Sequence, residues 1–282
     1  MSEKSAGQDL KSMNRVIPEG ESSCIWVDAG VVSYRLCDRN FECEDCPFDQ
    51  VMRRESRRDS NVSISAKDWS SEKKHFDQSF TGHETIADLV KKFFSVSAAC
   101  ELPSRRFYSR NHVWAKKIDD GCYRIGLDEY AASLLRDTWS VILPQTGTVS
   151  RRNAPLSWAI LEDGTIMVRS PLNGKVSMSN LHLKESPSLI VSDPYESGWI
   201  CEIAGVEDKA VGSNSFDEAA GKKFYDNQFA ELEKTIVSEL ERKPELVGAT
   251  MMDGGTRPKT LKDLLGPQKY LSILKSLLSM DM

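Results

Sequence analysis

Between residues 110 and 206 the chain is broken by Gly and Pro into short apolar runs, which limits it to short strands joined by tight turns. Ala154-Pro155-Leu156-Ser157-Trp158-Ala159-Ile160 alternates roughly, Glu162-Asp163-Gly164 turns, and Ile166-Met167-Val168 runs back. Asp-Gly between two such runs signals a hairpin, because a type I′ turn needs positive φ and Gly adopts it without steric cost. Ser170-Pro171-Leu172-Asn173-Gly174-Lys175-Val176 predicts a second turn of the same kind. One helix interrupts the pattern, starting after the good N-cap Asp128 and turning Tyr130, Ala131, Leu134 and Leu135 inward. Many short strands with one helix imply a β-sandwich or barrel.

The flanking segments follow other rules. Residues 24–58 form a cysteine-rich module in which Cys24, Cys37, Cys43 and Cys46 are spaced C-x12-C-x5-C-x2-C, with Pro47 directly after the last. In a reducing compartment such crowding indicates metal ligation rather than disulfides. A Cys-x-x-Cys turn brings two thiolates onto one tetrahedral ion, and two more complete a four-cysteine site. The expected metal is structural zinc, because a module of about 35 residues has little core and a closed site supplies folding energy. The alternative is an iron–sulfur cluster, since the same four ligands and a cysteine followed by proline also suit one. Trp26, Val31, Val32, Tyr34 and Phe41 are expected to pack around the knot.

Residues 1–23 read as a disordered tail and 59–109 as a linker followed by a helix. That helix is predicted from the capping box Thr81-Gly82-His83-Glu84 and the spacing of Ile86, Leu89, Val90 and Phe93. Residues 207–282 read as a helical appendix. Tyr225, Phe229, Leu232, Ile236 and Leu240 form one apolar stripe over 216–242, and Pro244 ends it. After the glycine-rich loop Met251–Gly255, two short helices are expected, Leu261–Leu265 and Gln268–Leu278. The stripe would serve either packing on the barrel or the pairing of two copies into a homodimer.

Charge excludes some partners. Lys and Arg number 37 against 42 Asp and Glu, a net charge of −5 without a basic segment, so nucleic acid is not an expected partner. Arg53-Arg54-Glu55-Ser56-Arg57-Arg58 is basic locally but lacks interleaved aromatics, and reads as a solvated helix face. The apolar runs are too short to cross a membrane, and Met1-Ser2-Glu3-Lys4 is too polar for a secretory signal, so a cytoplasmic location is expected. No Gly-x-Ser-x-Gly, phosphate loop or dinucleotide fingerprint occurs, and no catalytic residue or enzymatic activity is assigned. His75, His83, His112 and His182 share no ligand spacing, and Cys100, Cys122 and Cys201 are isolated, the last two expected on strands in buried roles.

An ordered set of short motifs narrows the fold. His112-Val113-Trp114, Gly126-Leu127-Asp128-Glu129-Tyr130-Ala131, Leu143-Pro144, Gly147-Thr148, Ser170-Pro171-Leu172-Asn173-Gly174 and Asp193-Pro194-Tyr195-Glu196-Ser197-Gly198-Trp199 together resemble the H protein of the glycine cleavage system. The resemblance implies an α+β protein: a lipoyl-like barrel-sandwich hybrid over 110–206, carrying the cysteine-rich metal-binding head and C-terminal helices. It also implies that His112 makes a structural hydrogen bond. Counted back from Ser170-Pro171, the family's lipoyl-lysine falls on Asp163, and no lysine occurs between Lys117 and Lys175. A carboxylate cannot form the amide that holds a lipoyl arm, so no lipoate is expected. The string from Cys24-Ile25-Trp26 to Cys46-Pro47-Phe48-Asp49 resembles bacterial proteins that join such a head to an H-protein-like domain. The expected function is therefore a non-lipoylated scaffold or adaptor with protein partners of unknown identity. Two alternatives stay open: an iron–sulfur electron carrier or thiol redox sensor, and a carrier modified at a displaced lysine.

Overall fold

A computed structural model describes residues 21–29, 31–43, 45–59, 86–212, 215–242 and 260–278. The tail over 1–20, the capping box at 81–84 and the loop Met251–Gly255 lie outside the described residues. Nine strands among the described residues form two antiparallel sheets. The larger has the order β1 (Phe107–Tyr108), β2 (Val113–Asp119), β3 (Cys122–Leu127), β9 (Cys201–Ala204), β8 (Gly174–Ser179), β5 (Val149–Ser150). The smaller is β4 (Thr138–Ile142), β6 (Pro155–Leu161), β7 (Thr165–Arg169). Helices surround both, so the architecture is mixed α+β. Among the described residues no helix is long and apolar enough to cross a membrane.

The core lies between the sheets. Ile125, Leu127 and Ile203 from the larger meet Ala159, Leu161, Ile166 and Val168 from the smaller, all essentially inaccessible to water. Helix α4 (Glu129–Leu134) starts where expected: the Asp128 carboxylate accepts the Ala131 N–H at 3.0 Å, satisfying one of the free donors of the first turn. Two short helices, α5 (His182–Glu185) and α6 (Leu189–Ser192), follow β8. They have too few residues to leave a periodic signal in the sequence.

The turns differ from expectation in two places. Leu161 and Gly164 close the β6–β7 hairpin by a Leu161 N–H to Gly164 carbonyl bond of 2.8 Å, but Gly164 does not adopt positive φ. What demands glycine there is room: a Cβ would stand 2.6 Å from Leu271 Cδ1 on a C-terminal helix. The stretch Ser170–Val176 is not a hairpin, since it carries the chain from β7 in one sheet to β8 in the other. The crossing is fixed by the buried Ser150 and Ser170 hydroxyls, 2.6 Å apart and each 2.9 Å from the Leu172 carbonyl, so that one hydroxyl donates to the other and the second donates to that carbonyl.

The N-terminal module contains α1 (Ile25–Asp28) and α2 (Pro47–Asp59), and α3 (Ile86–Ala98) comes before the sheets. After β9 come α7 (Asp208–Gly212), α8 (Glu218–Arg242), α9 (Leu261–Leu265) and α10 (Pro267–Leu278). The apolar stripe predicted for 216–242 is realised in α8, with Tyr225, Phe229, Ile236 and Leu240 buried and Leu232 only half-buried. Within this chain the stripe is covered by α3 and by the residues around His112, as the Phe94–Phe229 ring contact of 5.9 Å and the His112–Tyr225 stack of 4.3 Å illustrate.

Candidate functional site

The β6–β7 turn is enclosed from two sides. Asp163 forms ion pairs with Lys262 of α9, which also reaches Asp137 at 2.8 Å. The Glu162 carbonyl accepts the Arg53 Nη1–H of α2 at 3.2 Å. Leu271 of α10 lies over Gly164. Between these walls is a cleft of about 990 Å³, lined among others by Arg53, Arg54, Trp139, Glu162, Leu271 and Lys275. Burial alone would lower the pKa of Lys262, but hydrogen bonds and charge from Asp137 and Asp163 more than reverse this and raise it. A lysine therefore does stand at the turn, contributed by a helix about a hundred residues further along the chain. It stays protonated and paired.

The cysteine head sits on the outer face of the smaller sheet. Strand β6 is buried on both sides: Ala159 and Leu161 face the inter-sheet core, while Trp158 and Ile160 join Ile25, Trp26 and Val27 in a second apolar cluster. Phe41 adds a tilted ring contact to Trp158 at 5.6 Å. Val32 and Phe41 pack against this cluster as expected, but Val31 and Tyr34 are about half exposed, because their loop turns away from the sheet.

A buried carboxylate joins head and hairpin. Asp49, only 2 % exposed, accepts the Trp26 indole N–H at 2.9 Å, the Arg53 Nε–H at 2.7 Å and the Thr165 hydroxyl at 3.3 Å. Burial raises its pKa, against the pull of Arg53 and the other donors. Arg53 is thus not part of a solvated face as expected; its guanidinium is mostly covered and links α2 to the hairpin, while Arg54 beside it is exposed.

Cys24 and Cys46 stand at the origins of the head's two helices, and Cys37 and Cys43 lie in the loop between them. Cys24 caps α1, its carbonyl accepting the Val27 N–H at 2.9 Å, and Cys46 precedes α2, its carbonyl accepting the Gln50 N–H at 3.1 Å. The Cys43–Cys46 turn closes by a 3.1 Å backbone bond, and Cys37 and Cys24 are placed beside each other by bonds to Ser22 and Arg35 of 2.7 and 2.9 Å. The Phe41 N–H donates to Cys37 Sγ at 3.3 Å. All four are free thiols, Cys24 and Cys43 buried and the other two half-buried. Burial pushes the Cys24 and Cys43 thiols up, and the neighbouring thiols add to it, so the four are close enough to feel one another's charge. Among the described residues, no three His, Cys, Asp or Glu side chains are drawn together as ligands.

The remaining sequence candidates are structural. His112 is fully buried, with Nδ1 3.0 Å from Asp128 and Nε2 2.9 Å from the Gln228 amide oxygen of α8, giving the hydrogen bond that the family resemblance implied. Cys100 and Cys201 are buried, and Cys122 is half-buried on β3. What sequence reasoning missed is the set Asp49, Arg53, Lys262 and Leu271. Each meets the hairpin across about a hundred residues, a separation at which no local pattern carries a signal.

Comparison with known proteins bears on residues 106–227, which match the glycine cleavage H-protein family model. The H protein of Klebsiella pneumoniae is 32% identical over 112 residues, covering 40% of this chain and 87% of that protein. The Enterobacter H protein is 34% identical over 110 residues, covering 39% and 85%. A solved H protein from Mycobacterium marinum is similar at 23% identity and a TM-score of 0.35, covering 40% of this chain and 98% of that one. With nearly the full length of these relatives matched at this identity, the chain belongs to the glycine cleavage H-protein family.

Proposed function

We propose that this chain is a non-lipoylated H-protein-type scaffold: a barrel-sandwich hybrid with a closed carrier turn and a four-thiol metal head, acting through protein partners. The observation that carries this reading is Asp163. By resemblance it occupies the carrier position, yet it offers a carboxylate, ion-paired to Lys262 under Leu271. Lipoate does not fit such a turn. Amide formation needs a free, exposed amine, and the Lys262 amine is held protonated between two carboxylates.

The metal reading rests on the donor set. Two of the four thiols stand at the first turns of α1 and α2 and two in the loop between, one already accepting a backbone N–H, and four such soft donors are the ligand set of a closed tetrahedral site. Zinc bound there would supply folding energy to a head with little core of its own. N–H donors to sulfur favour the thiolate that a metal requires.

Intact mass of the protein isolated from its native host tests the carrier half of the proposal. The unmodified mass is expected. A species heavier by one amide-bound lipoyl group would overturn it, and mapping that group to Lys262 would establish a carrier modified at a displaced lysine. Metal analysis with a visible spectrum tests the other half: one zinc per chain in colourless protein is expected. Brown protein containing iron would establish the iron–sulfur alternative instead.

A further inference from the structure

Two of the four cysteines stand directly before the helices that carry the contacts holding the hairpin, and the other two lie in the loop between those helices. Cys24 begins α1, and two residues on Trp26 donates to Asp49 at 2.9 Å. Cys46 precedes α2, whose first turns carry Asp49, bonded to Thr165 at 3.3 Å, and Arg53, bonded to the Glu162 carbonyl at 3.2 Å. The direction in which these two helices leave the thiol cluster therefore decides whether Trp26, Asp49 and Arg53 reach the hairpin. Beneath them lie Trp158, Ile160 and Met167, an apolar strip that packs against Ile25, Trp26 and Val27 of the head. Trp158 is 5 % exposed and its indole nitrogen has no hydrogen-bond partner, so the head excludes water from it without replacing the bond that water would make.

We propose, resting on the metal reading above, that occupancy of the four-thiol site regulates the cover over β4–β6–β7. With an ion bound, the origins of α1 and α2 are fixed relative to each other, and the head lies on the sheet. Without it, a module this small loses the constraint that orders it. The head then loosens, the Asp49 and Arg53 contacts break, and the apolar strip together with the α2 side of the turn at Glu162–Asp163 is uncovered. The barrel stays folded throughout, because its inter-sheet core shares no residue with the head cluster.

Hydroxyl-radical footprinting of the full chain, read residue by residue by mass spectrometry, tests this. Zinc-loaded protein is compared with protein treated with a zinc chelator and a phosphine reductant, and native mass spectrometry counts the metal in each sample. Several-fold stronger labelling of Trp158 and Met167 after metal loss, with the deeply buried Trp114 unchanged, is expected. Unchanged labelling of Trp158 in protein that has demonstrably lost its zinc would overturn the cover while leaving the metal site standing. Absence of any bound metal in the starting protein would overturn the metal reading itself. A parallel rise at Trp114 would mean general unfolding and also defeat the proposal. The Arg53→Ala variant, which leaves every cysteine in place, should keep its zinc yet label more strongly at Trp158 in the loaded state. Wild-type labelling in that variant would show that the hairpin contacts do not hold the cover.

Discussion

The chain covers its two sheets in two places, and the two covers are built differently. Around His112, helix α8 brings Tyr225 into a 4.3 Å stack on the imidazole, and both ring nitrogens of His112 find partners, Asp128 and Gln228. Tyr130 and Phe229 complete an aromatic cluster with centroids 5.1 Å apart. At the hairpin turn, by contrast, the cover is assembled from α2, α9 and α10, whose buried apolar side chains are supplemented by the partly exposed ion pairs of Lys262 beside a cleft of about 990 Å³. Dense aromatic packing with satisfied polar atoms fixes one arrangement. Ion pairs near water contribute little and can be exchanged for other partners. The first cover is architecture. The second is where a change of state is cheap.

Alkaline titration weighs most on the first cover, which holds four shifted phenols against one, Tyr270, on α10. Tyr108, Tyr130, Tyr195 and Tyr225 all cluster near His112 or its partner Asp128, and burial, first among the causes, raises every one of their pKa values. A phenol whose folded pKa exceeds its unfolded value stabilises the fold fully below the unfolded pKa, about 10, and that contribution is lost as pH rises towards the folded one. Each fully shifted phenol should remove about 1.4 kcal/mol per pH unit above that point. Urea denaturation from pH 9 to 11.5 should therefore show a multi-proton decline, and a flat profile would contradict the packing described.

His112→Ala should come next, costing about 3–5 kcal/mol, because it takes from the buried Asp128 carboxylate its imidazole partner, leaving the Ala131 N–H, and empties the stack on Tyr225. Gly164→Ala at the turn should cost less, about 1–3 kcal/mol, since the obstructing Leu271 is a side-chain end that can move with α10. Lys262→Met should cost least, about 1 kcal/mol or less, its ion pairs being partly exposed. Chemical denaturation of the three variants orders them. If Lys262→Met proved as damaging as His112→Ala, the contrast between the two covers would fail.

Much of the two-sheet domain is legible in the sequence because its causes are local. Asp128 caps a helix three residues away, the α8 stripe repeats with helical period, and the Glu162-Asp163-Gly164 turn closes between two neighbouring strands. The cause of Gly164 is not local. Its φ is ordinary and its constraint is Leu271, so the right residue was noticed for a different reason. Arg53 is similar: a basic run reads as solvated until the Glu162 carbonyl is seen to lie beside it. Strand β6 hides its two-sided burial as well, because Trp158 and Ile160 look like the exposed half of an alternating pattern until the head is placed over them. Of the candidate site, the cysteine spacing and the Glu162-Asp163-Gly164 turn could be read in advance, whereas the enclosure of that turn could not.

Strand β6 and its hairpin are closed by pieces synthesised on either side of them: the head before, and α9–α10 well after. On the ribosome, which releases the chain in order, the head is therefore available to cover Trp158 and Ile160 as soon as β6 emerges. Asp163, however, must wait for Lys262. During that interval the turn is open on its α10 side, so a nascent chain presents a surface that the finished protein does not.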